Sequence, residues 1–262
     1  MKRSIITLML LVTAAAILAG CGGKSGSKRV FTVGFDAEFP PYGYMDDDGN
    51  YVGFDLELAQ EVCNRKGWEL KKQPIDWDSK DMELSSGAID CIWNGFTIQG
   101  REDAYTWTIP YVDNSQVFVV KDSSGIASLS DLADKKVGVQ KDSSALAALQ
   151  GDSSALADTF KELTQYADYN TGFMDLEAGA IDALAIDIGV ANYQIAKKGQ
   201  GYSILDEQLA SEQYGVGFLK GNTELKDEVE AVLKEMADDG TILKIAKEYS
   251  DFGMEESICI GK

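Results

Sequence analysis

The 262-residue chain contains no histidine, only four cysteines and four prolines, and few basic residues. Histidine is the commonest general base and metal ligand near neutral pH, so its absence weakens both roles. The cysteines show no spacing typical of a zinc site. Lysine and arginine number 24 against 43 aspartates and glutamates, a net charge of −19. We therefore expect no metal, no cofactor and no catalytic residues, and the acidic balance argues against nucleic acid or an anionic lipid surface as partner.

Long apolar runs are also absent, except at the N-terminus. Lys2 and Arg3 precede an apolar stretch from Ile5 to Leu18, which ends in Leu18-Ala19-Gly20-Cys21. This pattern predicts a secretory signal peptide over residues 1–20, and the stretch is short for a membrane span. The quartet also resembles the bacterial lipobox, which implies a lipid on Cys21 and a location outside the cytoplasm, on the outer face of the cytoplasmic membrane or in the periplasm. A transmembrane anchor or a plain cleaved signal is the alternative.

Residues 21–29 predict a flexible tether after the lipidated cysteine, because Gly22 to Lys28 is rich in glycine and serine and has no apolar residue. From Val30 onward, short apolar runs such as Phe31 to Phe35 and Lys136 to Gln140 alternate with segments of helical periodicity. This alternation predicts an α/β fold with a mostly parallel sheet. Cys63 and Cys91 fall at core positions, although a disulfide between them stays open.

A short internal repeat suggests two similarly built halves. Leu84-Ser-Ser-Gly87-Ala-Ile-Asp90 recurs as Leu176-Glu-Ala-Gly179-Ala-Ile-Asp182. Each copy predicts a helix end, a glycine stop and a buried strand.

Five ordered segments resemble the polar amino-acid substrate-binding proteins of ABC importers (bacterial extracellular solute-binding protein family 3). They are Gly34 to Tyr42 with Gly49 to Asp55; Gly87 to Ile98 with Arg101 and Trp107 to Tyr111; Val137 to Gln140 with Ser143-Ser144; Ala180 to Asp187; and Gln213 to Val216. The resemblance implies a periplasmic-binding-protein-like fold in which two hinge strands join two α/β lobes. Lobe 1 would comprise residues 30–112 and 214–262, and lobe 2 residues 113–213. It also implies a monomer that delivers an amino acid to importer permease subunits.

The resemblance further implies a ligand site in the cleft, and the chemistry of the residues agrees. Arg101 presents a planar fork to an α-carboxylate, and Asp187 is a counter-charge for the α-ammonium. Other polar groups would complete the hydrogen bonds, two aromatic rings would form flat walls, and two residues would contact the tip of the ligand side chain. The hydrogen-bonding residues would be Asn94, Gly95, Thr97, Ser143 and Ser144. The flat walls would be Phe39 and Trp77, and the tip of the ligand side chain would contact Asp36 and Gln140.

Two departures from the family pattern affect this site. The segment before Arg101 is one residue shorter than usual, and Asp142 stands where the family commonly has glycine. Asp142 either caps the following helix or opposes the ligand carboxylate. Simpler roles are also open: Arg101 on the surface, Asp187 as a helix cap, Asp36 in a turn, and the two aromatic rings in the core.

Two other functions compete with transport. Some extracytoplasmic dehydratases resemble these binding proteins, and an enzyme would need a positioned acid or base. A module that presents bound ligand to a membrane receptor is the second alternative. The ligand side chain also stays open among amide, cationic and cystine-like types.

Overall fold

The computed structural model describes residues 28–261. The predicted signal peptide, Cys21 and residues 22–27 of the predicted tether lie outside this range. Among the described helices, none has the length and apolar character that a membrane span requires.

Strands and helices alternate along the described chain. The strands are β1 (Val30–Phe35), β2 (Glu38–Phe39), β3 (Gly43–Met45), β4 (Tyr51–Val52), β5 (Glu69–Pro74), β6 (Cys91–Ile92), β7 (Tyr105–Trp107), β8 (Val112–Lys121), β9 (Lys136–Gln140), β10 (Glu162–Tyr166), β11 (Ala183–Asp187), β12 (Tyr202–Ile204), β13 (Ala210–Tyr214) and β14 (Gly217–Leu219). The helices are α1 (Phe54–Lys66), α2 (Lys80–Ser86), α3 (Ser144–Gln150), α4 (Ser154–Ala157), α5 (Tyr169–Ala178), α6 (Ile188–Lys198), α7 (Thr223–Asp238), α8 (Thr241–Lys247) and α9 (Met254–Ser257).

Lobe 1 is built on a five-stranded sheet in the order β5-β1-β6-β14-β7. Alternate residues Phe31, Val33 and Phe35 of β1 are fully buried, as expected for a strand with period-two side chains. Helix α1 buries one apolar face and ends at Gly67, whose left-handed backbone (φ 67°) lets its N–H bond the carbonyl of Asn64.

Lobe 2 is built on a second sheet in the order β10-β9-β11-β8-β12, with β13 also paired to β8. Strand β11 is buried along its whole length. The parallel arrangement predicted from the sequence holds for β10, β9 and β11, whereas β8, β12 and β13 run antiparallel to their partners. The antiparallel strands arise because the chain enters this lobe on β8 and leaves it on β13.

The internal repeat has the same structural role in both lobes. Asp90 accepts a hydrogen bond from the Thr32 N–H (2.7 Å), and Asp182 accepts one from the Lys136 N–H (2.8 Å). In each lobe this carboxylate follows a helix that ends in a left-handed glycine. The repeat therefore marks two halves with the same strand–helix–strand unit.

The two lobes are connected by adjacent strands. Strands β8 and β13 pair antiparallel from Val112 opposite Tyr214 to Gln116 opposite Ala210. These strands leave lobe 1 after β7 and return to it at β14. The predicted two-lobed α/β fold is confirmed, while the boundaries at residues 112/113 and 213/214 stay a prediction. Cys63 and Cys91 are buried thiols without a disulfide.

Candidate functional site

A cavity of about 280 Å³ lies between the lobes. We call it the central cavity. Its lining contains ten of the eleven residues predicted from the sequence: Phe39, Trp77, Asn94, Gly95, Thr97, Arg101, Gln140, Ser143, Ser144 and Asp187. The eleventh, Asp36, lines a neighbouring cavity and accepts a hydrogen bond from the side chain of Gln140 (2.8 Å). The structure thus brings together side chains that are up to 148 positions apart in the sequence, although their roles as ligand contacts stay predictions.

Arg101 follows β6 in lobe 1 and is half-buried. Its guanidinium donates to the carbonyl of Thr97 (3.3 Å) and to the carbonyl of Asp142 in lobe 2 (3.2 Å). It also lies 5.3 Å from the ring centre of Phe96. Within the described residues no carboxylate forms an ion pair with Arg101, so Glu102 and Asp103 do not neutralise it. The shortened segment still directs the arginine to the cavity.

Asn94 and Gly95 connect β6 to this part of the wall. The Asn94 Oδ1 accepts from the Asp36 N–H (3.0 Å), and the Gly95 N–H donates to the buried carboxyl group of Asp55 (2.6 Å). Gly95 has a left-handed backbone (φ 55°), and a Cβ there would lie 2.8 Å from the Phe39 ring. Glycine is therefore required here for both conformation and space.

Asp187 ends β11 and is buried. Its carboxyl group accepts hydrogen bonds from the side chains of Asn114 (2.9 Å), Gln116 (2.7 Å) and Tyr169 (3.3 Å), and also from the Tyr214 hydroxyl. Although it occupies the N-cap position of α6, its side chain makes no capping bond. The capping role is therefore excluded, and the carboxyl group is turned towards the cavity lining.

Glu212 of β13 forms a carboxyl pair with Asp187. Both side chains are buried, and the side-chain amides of Asn114 and Gln116 each donate to both carboxyl groups. Burial first, and then the nearby Glu212 charge, raise the pKa of Asp187 to about 7. Glu212 is not among the site residues predicted from the sequence.

Hydroxyl groups line the lobe 2 side of the cavity. The Ser143 Oγ caps α3 by accepting from the Leu146 N–H (3.1 Å). The Ser144 Oγ accepts hydrogen bonds from the hydroxyl of Thr97 across the cleft (3.3 Å) and from the side chain of Gln116 (3.0 Å). Thr97 and Ser144 thus connect the two lobes beside Arg101.

Phe39 and Trp77 form part of the cavity wall from lobe 1. Phe39 is almost fully buried and packs against Tyr169 of lobe 2, with ring centres 5.8 Å apart. Trp77 packs edge-on against Phe96, and its indole N–H donates to the carbonyl of Asp142 (3.2 Å). Both rings line the cavity, and both also serve in packing.

Asp36 borders a larger open cavity of about 1340 Å³. Its side chain accepts from the Glu38 N–H (2.8 Å) as well as from Gln140, and burial raises the pKa of this carboxyl group to about 6. Six acidic side chains and one basic side chain line this acidic cavity: Asp36, Glu38, Asp76, Asp78, Glu83 and Asp168, with Lys141.

Asp142 holds the lobes together at the rim of the central cavity. It has a left-handed backbone (φ 57°), and its carboxylate forms an ion pair with the buried amine of Lys80 from lobe 1. The Lys80 amine also lies 5.0 Å from the centre of the Trp77 ring. Because Ser143 caps the helix and Lys80 neutralises Asp142, neither of the two roles considered from the sequence describes this residue.

Several site residues were missed by sequence reasoning. Asn114, Gln116, Glu212 and Tyr214 occupy alternate positions on β8 and β13, and all four are buried. That alternation of polar residues in a strand was the available signal. Lys80 gave no comparable signal. Among the described residues, no group of three or more acidic, cysteine or histidine side chains is arranged to hold a metal ion.

Comparison with known proteins places this geometry in one family. The profile of the bacterial extracellular solute-binding proteins, family 3, matches residues 31–253. The L-cystine-binding protein TcyJ of Escherichia coli K12 is 29% identical over 91% of this chain and 92% of its own. The arginine-binding extracellular protein ArtP of Bacillus subtilis is 30% identical over 92% of this chain and 96% of its own.

A solved structure agrees with the sequence matches. The substrate-binding protein of an ABC uptake transporter from Streptococcus pneumoniae, with bound histidine, superposes with a TM-score of 0.81 at 35% identity. The match covers 84% of this chain and 92% of that protein. The chain therefore belongs to the bacterial extracellular solute-binding proteins of family 3, as the sequence predicted.

Proposed function

We propose that this solute-binding protein captures a polar amino acid in the central cavity and delivers it to the permease of an ABC importer. One observation carries the proposal: Arg101 from lobe 1 and Asp187 from lobe 2 line the same cavity. Within residues 28–261, neither side chain is engaged in an ion pair with a residue of opposite charge. A free amino acid supplies both missing charges.

The energetic reason is the cost of removing a zwitterion from water. Each buried charge costs several kcal/mol unless an opposite charge and hydrogen bonds compensate it. Arg101 and the Thr97 and Ser144 hydroxyls would receive the carboxylate, and Asp187 would receive the ammonium. Contacts with residues of both lobes would favour the closed arrangement.

The acidic cavity supports a preference for the ligand side chain. Gln140 lines the central cavity and hydrogen-bonds Asp36, one of the six acidic residues that line the acidic cavity with Lys141. We propose that the side chain points this way and carries N–H donors or a positive charge. The relatives named for arginine, for lysine, arginine and ornithine, and for histidine fit this preference, whereas those named for cystine do not require it.

The remaining parts of the proposal concern location and organisation. A lipid on Cys21 would hold the protein outside the cytoplasm, and residues 21–29 would tether a monomer near its importer. Lobe 1 would comprise residues 30–112 and 214–262, and lobe 2 residues 113–213. The side-by-side strands β8 and β13 support a hinge at these boundaries.

The test is titration calorimetry with the amino acids, followed by variants of the two charged residues. Arg101→Ala leaves the ligand carboxylate buried without its partner, which typically costs about 3–5 kcal/mol, or roughly two to four decades of affinity. Asp187→Ala should weaken binding by a similar amount because the ammonium loses its partner. An amidated amino acid should bind the wild type poorly and lose little more in Arg101→Ala.

The matched control is Arg29→Ala, because Arg29 is an exposed arginine just before β1 that contacts Glu228 and Trp68. It should bind like the wild type. If Arg101→Ala or Asp187→Ala binds within about threefold of the wild type, that residue does not bind the ligand charge. The amino acid recovered after binding should be chemically unchanged. Release of a different product would instead support the alternative that the protein is an enzyme.

A further inference from the structure

The carboxyl pair extends from Asp187, which lines the central cavity, to Glu212 on the other side of β8, which lines a separate open cavity. Asp187 of β11 is opposite Gln116, and Glu212 of β13 is opposite Asn114. Asp187 is 4% exposed and Glu212 is 6% exposed. Two acidic side chains from different strands are therefore buried side by side.

Two amide groups lie between the carboxyl groups. The Asn114 Nδ2 donates to Asp187 Oδ1 (2.9 Å) and to Glu212 Oε1 (2.6 Å). The Gln116 Nε2 donates to the same two oxygens, at 2.7 and 2.8 Å. These shared donors hold the two carboxyl oxygens close together.

The cluster has acceptors left over and no cation. Asn114 Oδ1 and Gln116 Oε1 are buried and accept no hydrogen bond within the described residues. No lysine or arginine of residues 28–261 forms an ion pair with Asp187 or Glu212. Buried polar atoms without partners are rare in folded proteins, and these two oxygens add to the negative potential around the pair.

The other titratable groups facing the pair are tyrosines. Tyr169 of α5 and Tyr214 of β13 donate to Asp187, and Tyr42 of lobe 1 packs edge-on against Tyr214. Burial raises the pKa of all three phenols well above its usual value, so they remain neutral. Arg101 lines the same cavity but is bound to the carbonyls of Thr97 and Asp142. None of these groups neutralises two carboxylates.

The shared amide donors hold the two carboxyl oxygens close together, and an ionised carboxylate can only accept hydrogen bonds, so neither group can stabilise the other while both are charged. Two uncompensated charges in one buried site are also costly, so one of the two groups stays protonated. The raised pKa of Asp187 agrees with this reasoning.

We infer that Glu212 is a second residue of the ammonium site: beside its carboxyl group Asp187 keeps a proton in the empty protein, and the ammonium group of a bound amino acid replaces that proton. The inference rests on the proposed function, because it assigns a regulation to the same site. The ligand keeps its own charge, the pair becomes fully ionised, and the displaced proton passes to the solvent. Binding is thereby linked to pH and favours ligands with an ammonium group over neutral analogues.

The expected pH dependence follows from this exchange. Below about pH 7, the ligand must displace a proton, so its Kd should rise about tenfold for each pH unit of acidification. Above that pH the empty pair is already ionised and the Kd should be constant. L-Arginine is a suitable probe because its ammonium and guanidinium groups keep their charge between about pH 5.5 and 8.

The first measurement is calorimetry of L-arginine binding at about pH 6 in buffers of different ionisation enthalpy, which counts released protons. The wild type should release close to one proton. Glu212→Gln should release clearly fewer protons at this pH, and its pH dependence should begin at a lower pH, since Asp187 no longer has a buried like charge beside it while burial still raises its pKa. Glu235→Gln, an exposed change on α7, should behave like the wild type. Binding by the wild type without proton release, at a Kd independent of pH, overturns the inference while the proposed function stands.

The second measurement needs no ligand. Infrared titration of the empty protein should show a protonated carboxyl group whose titration midpoint moves to lower pH in Glu212→Gln and is unchanged in Glu235→Gln. Asp36 and Asp55, the other buried carboxyl groups with raised pKa values, are present in both variants. Their infrared signals therefore cancel when the spectrum of one variant is subtracted from that of the other. An unchanged infrared titration in Glu212→Gln overturns the inference. If no amino acid binds, the proposed function fails, and this titration alone decides whether the pair holds a proton.

Discussion

Asp55 acts on the cavity without lining it. Its side chain is fully buried in α1, where one carboxyl oxygen accepts from the Gly95 N–H and the other from the hydroxyl of Tyr111 (2.8 Å). It therefore positions the Asn94-Gly95 segment that precedes Thr97 and Arg101. Burial raises the pKa of this carboxyl group to about 7, so the folded protein keeps a proton that the unfolded chain loses near pH 3.8.

This retained proton predicts how stability varies with pH. Asp55 contributes fully to the free energy of unfolding below about pH 4 and loses that contribution as the pH rises to about 7, at about 1 kcal/mol per pH unit. Asp55→Asn carries no ionisable group there. Its stability relative to the wild type should therefore improve steadily between those pH values, measured by calorimetric unfolding.

Other buried carboxyl groups titrate in the same window, so the comparison must be between variants. Asp206→Asn, an exposed change, should follow the wild type at every pH. A constant difference between Asp55→Asn and the wild type from pH 4 to 7 would show that Asp55 is ionised throughout.

At the scale of elements, the turn between β9 and α3 connects the lobes. Asp142 in this turn accepts hydrogen bonds from Trp77 and Arg101 and forms the ion pair with Lys80, all from lobe 1. Lys80 is 2% exposed in this closed arrangement. Opening of the lobes would separate the pair and return both charges to water.

Asp142→Asn should therefore favour the open arrangement. It leaves the Lys80 amine buried without its counter-charge only when the lobes are closed, a cost of about 1 kcal/mol because Asp142 itself is half-exposed. Small-angle scattering of the ligand-free variant should give a larger radius of gyration than the wild type. Asp152→Asn, an exposed change in the same lobe, is the control, and equal radii for all three proteins would contradict the prediction.

Periodicity predicted the central strands well. Strand β9 has the bounds that the apolar pattern indicated, and β1 differs by one residue. The buried strand that the first repeat copy predicts after Gly87 is limited to β6, because the Asp90 side chain takes the Thr32 N–H that would otherwise bond to a neighbouring strand. Local pattern shows which residues are apolar, but a side chain that replaces a backbone partner is visible only in the folded chain.

The sequence predicted some residues of the site and missed others. Ten lining residues followed from the family resemblance, and among them Asn94, Gly95 and Asp187 lie at strand ends, where open α/β sheets bind their ligands. Glu212 was missed because nothing in its own segment places it beside Asp187, and Lys80 because its partner lies 62 positions away in the other lobe. Contacts of this kind depend on how two sheets are placed against each other, which a linear pattern does not contain.

At the scale of the whole molecule, the sequence predicts that the N-terminal segment anchors the binding protein at the membrane. Residues 1–20 and Cys21 lie outside the described range, and the lipid on Cys21 is a prediction from the sequence. Cys21→Ser should move the protein from the membrane fraction to the soluble fraction, because the lipid is the proposed anchor. Cell fractionation with mass spectrometry of the mature N-terminus tests this prediction. Ser25→Ala in the tether should stay with the membrane, and a Cys21→Ser protein with unchanged fractionation would exclude the lipid anchor.

The contacts across the cleft also bear on the lifetime of a complex. Gln140 with Asp36, Ser144 with Thr97, and Asp142 with Lys80 join the lobes through protein groups alone. A ligand enclosed behind them leaves only after these bonds break, so its dissociation rate includes the frequency of lobe opening. Ligands with very different contacts in the cavity would then have more similar residence times than their affinities indicate. Binding to the importer would speed ligand release by opening the lobes.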